Sequence, residues 1–69
     1  MTAQGSSTGE SMRTLRKLAG MSLEELASVA DTSIAYLSKV ENGKFVPTRS
    51  YVARVTAAIA DRMSEKAVA

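Results

Sequence analysis

Only Asp31 and Thr32 lie between two helix-like patterns in the stretch SLEELASVADTSIAYLSKVENGK, residues 22–44. So short a connection forces the second helix to leave the first at a steep angle. The first pattern opens with Ser22-Leu-Glu-Glu25, a capping box in which the Ser22 hydroxyl and the Glu25 carboxylate each accept a backbone amide of the other's turn. Glu24 and Glu25 also suit the positive end of the helix dipole. Leu26, Val29 and Ala30 are expected to form its apolar face, over about residues 23–30. Ser33 then caps a second helix over about residues 34–42, with Leu37 and Val40 inward and Gly43 as its stop. A corner of this kind needs a small residue at the crossing, which Ala27 supplies. It also needs a turn residue that tolerates a left-handed backbone, which Asp31 does at some cost. These requirements together describe a helix-turn-helix.

The flanks complete an all-α chain. Residues 1–9, MTAQGSSTG, are small and polar and read as a disordered arm. Met12, Leu15, Leu18 and Ala19 recur at helical spacing before Gly20, which predicts a helix over about residues 9–18. After Gly43, residues 44–47 read as a loop in which Pro47 keeps Val46 extended. Thr48 caps a last helix whose stripe is Val52, Val55 and Ile59, with Ala58 beside it and Met63 as a possible extension. The folded domain is therefore expected over 10–63, with 64–69 a flexible tail.

Composition narrows the function. The 69-residue chain has no histidine and no cysteine, so the commonest general base, the commonest metal ligand and every thiol chemistry are missing. Glu24 and Glu25 are adjacent on a helix and point in different directions, and capping already explains them. No enzyme, no metal and no cofactor is expected, and no small-molecule site is evident. No apolar run approaches the ~20 residues that span a bilayer, and the N-terminus has no secretion pattern, so a cytoplasmic location is expected. The net charge is only +2, but it is unevenly spread. Between residues 34 and 54, Lys39, Lys44, Arg49 and Arg54 face Glu41 alone among acids. A local basic surface is what a polyanion binder carries.

With these residues in view, the chain resembles the lambda-repressor-like helix-turn-helix proteins, also called the Cro or XRE type. The resemblance rests on Arg16, on Ser22-Leu-Glu-Glu-Leu-Ala27, on Ser33-Ile-Ala-Tyr-Leu-Ser-Lys-Val-Glu-Asn-Gly-Lys44 and on Pro47-Thr48, and covers about residues 11–60. It implies a compact bundle of four or five helices, with the third in the DNA major groove and the second across the backbone. It implies a double-stranded DNA operator as partner and a bacterial or phage transcriptional regulator. Repression is expected, as in a phage Cro or repressor, a restriction-modification controller or an antitoxin-like repressor.

The resemblance assigns base readout to Ile34, Ala35, Ser38 and Lys39. Ile34 and Ala35 offer apolar contact suited to a thymine methyl, Ser38 bonds most base edges, and Lys39 donates to guanine O6 and N7. Phosphate contacts are expected from Ser22 and Leu23 at the start of the second helix, and from Asn42, Lys44 and Arg49 after the third. Leu23 stands where relatives often carry Gln. Arg16 and Glu41 match an ion pair that bridges the first and third helices and orients them. Arg13 and Lys17 read as solvated charge first, and Tyr36 as packing at the corner. One short helix reaches few bases, so a homodimer on DNA is expected, with Ile59 and Met63 as candidates for its interface. The rival reading is a protein-interaction module on the same fold, docking a partner through Ile34 and Ala35.

Overall fold

The computed structural model describes residues 4–68, with side chains described from Thr8 to Glu65. The described residues form four α-helices and no strand: α1 Gln4–Leu18, α2 Leu23–Val29, α3 Ile34–Glu41 and α4 Arg49–Val68. α1 and α2 each pack on both α3 and α4. The core between them is Met12, Ala19, Met21, Leu26, Ala27, Ala30, Leu37, Val40, Tyr51, Val55 and Ile59.

The first three helices end in one and the same device. After α1, the Met21 amide donates to the Arg16 carbonyl and the Gly20 amide to Lys17; after α2, Thr32 donates to Ala27 and Asp31 to Ser28; after α3, Lys44 donates to Lys39 and Gly43 to Val40. This crossed pair of bonds is a Schellman motif, and it requires a left-handed residue just past the helix. Gly20, Asp31 and Gly43 fill that place with φ of 71°, 59° and 78°. Asp31 therefore makes the tight corner in the way its sequence position implied, although a Cβ there is less favourable than a glycine. The helix starts also follow the sequence. Ser22 accepts from the Glu25 amide at 3.0 Å and its own amide donates to the Glu25 carboxylate at 2.9 Å. Ser33 accepts from the Tyr36 amide, and Thr48 from the Tyr51 amide.

Several expectations are corrected by burial. Leu15, Leu18 and Val29 are exposed, Leu18 at 67%. The buried side of α1 instead runs through Gly9, Met12, Arg16 and Ala19, with Arg16 only partly covered. That is a regular 3-4-3 spacing whose members include a glycine and an arginine, so an apolar count alone misplaces the stripe. In α2 the buried face is Leu26, Ala27 and the cap Ala30, and Val29 lies off it. Ile59 is 2% exposed and sits inside this chain's own core, so it has no side-chain surface left for a second copy. Met63, by contrast, is 40% exposed.

Two boundaries also move. α1 starts at Gln4, so residues 4–9 of the segment expected as an arm are helical, while residues 1–3 lie outside the described ones. α4 runs to Val68 instead of fraying from Ser64, and Ala69 lies outside the description. After Pro47 the chain has neither Gly nor Pro, and its Ala, Arg, Met, Glu and Lys are strong helix formers. Gly9 is buried where α1 crosses the end of α3, and a Cβ built on it would overlap the Val40 carbonyl oxygen. Only a residue without a side chain lets these two backbones approach so closely.

Gly9→Ala is therefore expected to destabilise the fold by about 1–3 kcal/mol, the usual cost of overpacking, even though alanine is the better helix former. Urea unfolding followed by circular dichroism checks this; a variant as stable as the parent, or more so, removes the close crossing from the account.

Candidate nucleic-acid interface

α3 is held along one side and free along the other. Leu37, Val40 and Glu41 are its buried residues. Ile34, Ala35, Lys39 and Asn42 are exposed and Ser38 is half-buried. Of the four residues expected to read bases, Ala35 and Lys39 lie away from the core-facing Leu37, Val40 and Glu41, and Ser38 lies at the margin. Ile34 is 46% exposed, on the flank nearer Glu41. Asn42 is the C-terminal cap, and its side-chain amide lies 3.4 Å from the Ser38 hydroxyl.

The buried carboxylate of Glu41 is answered by one side chain. Arg16 donates through Nε and Nη2 to the two Glu41 oxygens, both at 2.9 Å, and through Nη1 to the Met21 carbonyl at 3.0 Å. Arg16 and Glu41 are 11% and 4% exposed. The hydrogen bond to Glu41 raises the Arg16 pKa above its ordinary value, against an opposing effect of burial. The guanidinium accordingly stays charged throughout the physiological range. This arrangement has an electrostatic consequence. Glu41 is the one acid between residues 34 and 54, and its charge is turned inward and neutralised. Lys39, Lys44, Arg49 and Arg54 in the same stretch are all exposed, so what this segment shows to solvent is positive.

The expected phosphate contacts are exposed except Leu23, which is half-buried. At the start of α2, the Ser22 amide is already spent on Glu25. Its hydroxyl accepts the Glu25 amide and keeps its hydrogen free to donate outward. Lys44 and Arg49 flank the loop between α3 and α4, and neither lies in a salt bridge among the described residues.

An aromatic ladder beside α3 was not legible in the sequence. Tyr36 stacks on Phe45, with ring centroids 5.3 Å apart and an interplanar angle of 27°, and meets Tyr51 edge-on at 5.0 Å. The Tyr51 hydroxyl and the Thr32 hydroxyl are 3.0 Å apart. A cation closes each end: Lys39 Nζ is 5.4 Å from the Phe45 centroid, and the Arg54 guanidinium 5.4 Å from that of Tyr51. Tyr36 packs as its position implied, but the three rings come from α3, the following loop and α4. The one available hint is that the chain's single Phe stands in a loop directly after Lys44.

Two helices of seven and eight residues meet at a left-handed Asp31, and the second is pinned with its outer side bare. A family model described as a helix-turn-helix domain matches residues 9–60. The chain belongs to the helix-turn-helix domain family. Among solved structures, the clp gene regulator ClgR from C. glutamicum is similar, with 30% identity, a TM-score of 0.79, and coverage of 96% of this chain and 90% of that one. No curated protein sequence matches the chain significantly. The matched segment takes in the helix-turn-helix corner, the Arg16–Glu41 pair and the ladder. No helix among the described residues is long and apolar enough to cross a membrane. No group of His, Cys, Asp or Glu among them is placed to hold a metal.

The ion pair gives a prediction. Removing one partner leaves the other charge buried and unpaired, so Arg16→Ala or Glu41→Ala should each lower stability by about 3 kcal/mol. The double change to Arg16→Met with Glu41→Leu should cost clearly less than either. Thermal and urea melts of the three variants check this, and single losses under about 1 kcal/mol would contradict it.

Proposed function

We propose that this helix-turn-helix domain binds double-stranded DNA and regulates transcription, with α3 in the major groove and α2 across the backbone. The observation that carries the reading is the pairing of an α3 held on one side and bare on the other with a basic stretch, residues 34–54, whose single acid, Glu41, is buried against Arg16. The likeness to ClgR, a gene regulator, supports it. Ile34, Ala35, Ser38 and Lys39 face the base edges. Ile34 and Ala35 meet thymine methyls, Ser38 bonds either partner, and Lys39 donates to guanine. Ser22, Leu23, Asn42, Lys44 and Arg49 meet phosphates, Leu23 through its backbone amide, and so set register. The domain acts as a repressor of the Cro or XRE type, since a helix-turn-helix seated on a promoter excludes polymerase by occupying the DNA. Two copies bind adjacent half-sites, and Met63 is the candidate contact now that Ile59 is assigned to the core. The protein then works where the DNA is, in the cytoplasm.

A second reading has one observation in its favour. Ile34 and Ala35 are exposed apolar residues on a helix, the kind of surface that docks another helix.

Fluorescence anisotropy on a random-sequence duplex, titrated with salt, separates the two. The expected log–log slope is several units, because each neutralised phosphate contributes about 0.9. Lys44→Ala or Arg49→Ala should weaken binding evenly across sequences and lower that slope by about one unit, whereas Lys39→Ala should cost about 1–3 kcal/mol at one base pair of a selected operator. Absence of binding at low salt by a folded protein would overturn the DNA reading and leave Ile34 and Ala35 as a docking face.

A further inference from the structure

A lysine that reads a base has to be in the right place before the base arrives. Its side chain has four rotatable bonds and a compact, strongly hydrated charge, so a free lysine meets phosphates and bases with little preference. Lys39 is exposed, and its ammonium stands 5.4 Å over the Phe45 ring. That ring is itself fixed, because it stacks on Tyr36, one helical turn before Lys39 on the same flank of α3. Tyr36 is held in turn by Tyr51, whose hydroxyl bonds Thr32 at the corner. The loop bearing Phe45 is anchored at its start by the Lys44 amide, which donates to the carbonyl of Lys39 at 2.8 Å. Side chain and backbone of Lys39 are thereby tied to the same short loop. Phe45 is 43% exposed, so its ring is accessible beside the outer face of α3.

We propose that Phe45 is a specificity-determining positioning residue, whose ring holds the Lys39 ammonium at the edge of the outer face of α3 so that it addresses one base pair rather than the backbone at large. This rests on the DNA-binding reading above. Phe45 makes no base contact itself; its contribution is to narrow the positions Lys39 samples, and it acts only through the π face it offers. An aliphatic side chain of similar bulk fills the space without attracting a cation, and a tyrosine keeps the attraction.

The experiment uses the full chain as parent, Phe45→Leu, Phe45→Tyr and Lys39→Met, each confirmed as folded by circular dichroism. Operators are selected from a random duplex pool with the parent, and each variant is then titrated on the selected site and on its single-base-pair changes. In the free protein, the Lys39 ε-methylene protons should be shifted upfield by the ring in the parent and in Phe45→Tyr, and not in Phe45→Leu. On DNA, Phe45→Leu should lose about two- to fivefold of discrimination at the base pair where Lys39→Met loses it, and at no other, the size expected of an exposed cation–π contact. The losses of Lys39→Met and Phe45→Leu should not add when combined, and Phe45→Tyr should retain the parent's preference. A parent that selects no sequence overturns the DNA reading and this proposal with it. A parent that selects an operator which Phe45→Leu reads with unchanged preference, or with affinity lowered evenly at every site, overturns the proposal alone.

Discussion

The architecture turns on the bidentate contact between Arg16 and Glu41. It is the point at which α1, the α1–α2 connection and α3 are tied together, since the same guanidinium also takes the Met21 carbonyl. Two charges this deep are costly to desolvate, and their mutual attraction repays that only when the geometry is good and the remaining hydrogen-bonding groups are met. Here both carboxylate oxygens and all three guanidinium nitrogens have partners, and no buried side-chain polar atom among the described residues is without one. A hydrophobic pair in the same place would hold α3 against α1 without specifying its rotation. The fork of an arginine on a carboxylate accepts few orientations, and rotation is what decides which residues of α3 face outward.

The other constraints agree with this one. Gly9 lets α1 come down onto the Val40 backbone at the end of α3. Ala27 lets α2 come close on another side, and the Schellman turn at Asp31 sets where α3 begins. An eight-residue helix has little stability of its own. α3 exists because two neighbouring helices and two caps define it, and its placement is inherited from them.

Much of this is legible in the sequence, and what is not has physical reasons. Caps and stops are local: Ser22 with Glu25, Ser33, Thr48, Gly20 and Gly43 act within one turn of themselves, so spacing alone reveals them. The Arg16–Glu41 pair came from resemblance, not from spacing, because 25 residues separate its members. Leu15, Leu18 and Val29 were misplaced for a different reason. On α1 the core stripe is built partly of Gly9 and Arg16, residues that an apolar count passes over, so the count was drawn toward leucines that face water. Ile59 looked available for a partner because a stripe on a last helix does not say which neighbour it faces. The ladder of Phe45, Tyr36 and Tyr51 lay beyond reach, since each ring comes from a different segment and only the folded loop brings them together.

The division of labour within α3 explains why family and target are not equally legible. Leu37, Val40 and Glu41 meet neighbours whose own positions are fixed, so changing any of them costs core packing or strands a charge. Ile34, Ala35 and Lys39 meet solvent in this chain, and surface changes away from caps and strain usually alter stability by no more than about 0.5 kcal/mol. The first set therefore carries the mark of the fold, and the second is free to take whatever chemistry a binding target demands. Phe45 belongs to neither set. It lies outside the helix, its ring stacks on Tyr36, and the Lys39 ammonium stands over that ring. A loop in that position lets the character of the outer face change without disturbing the frame that orients it.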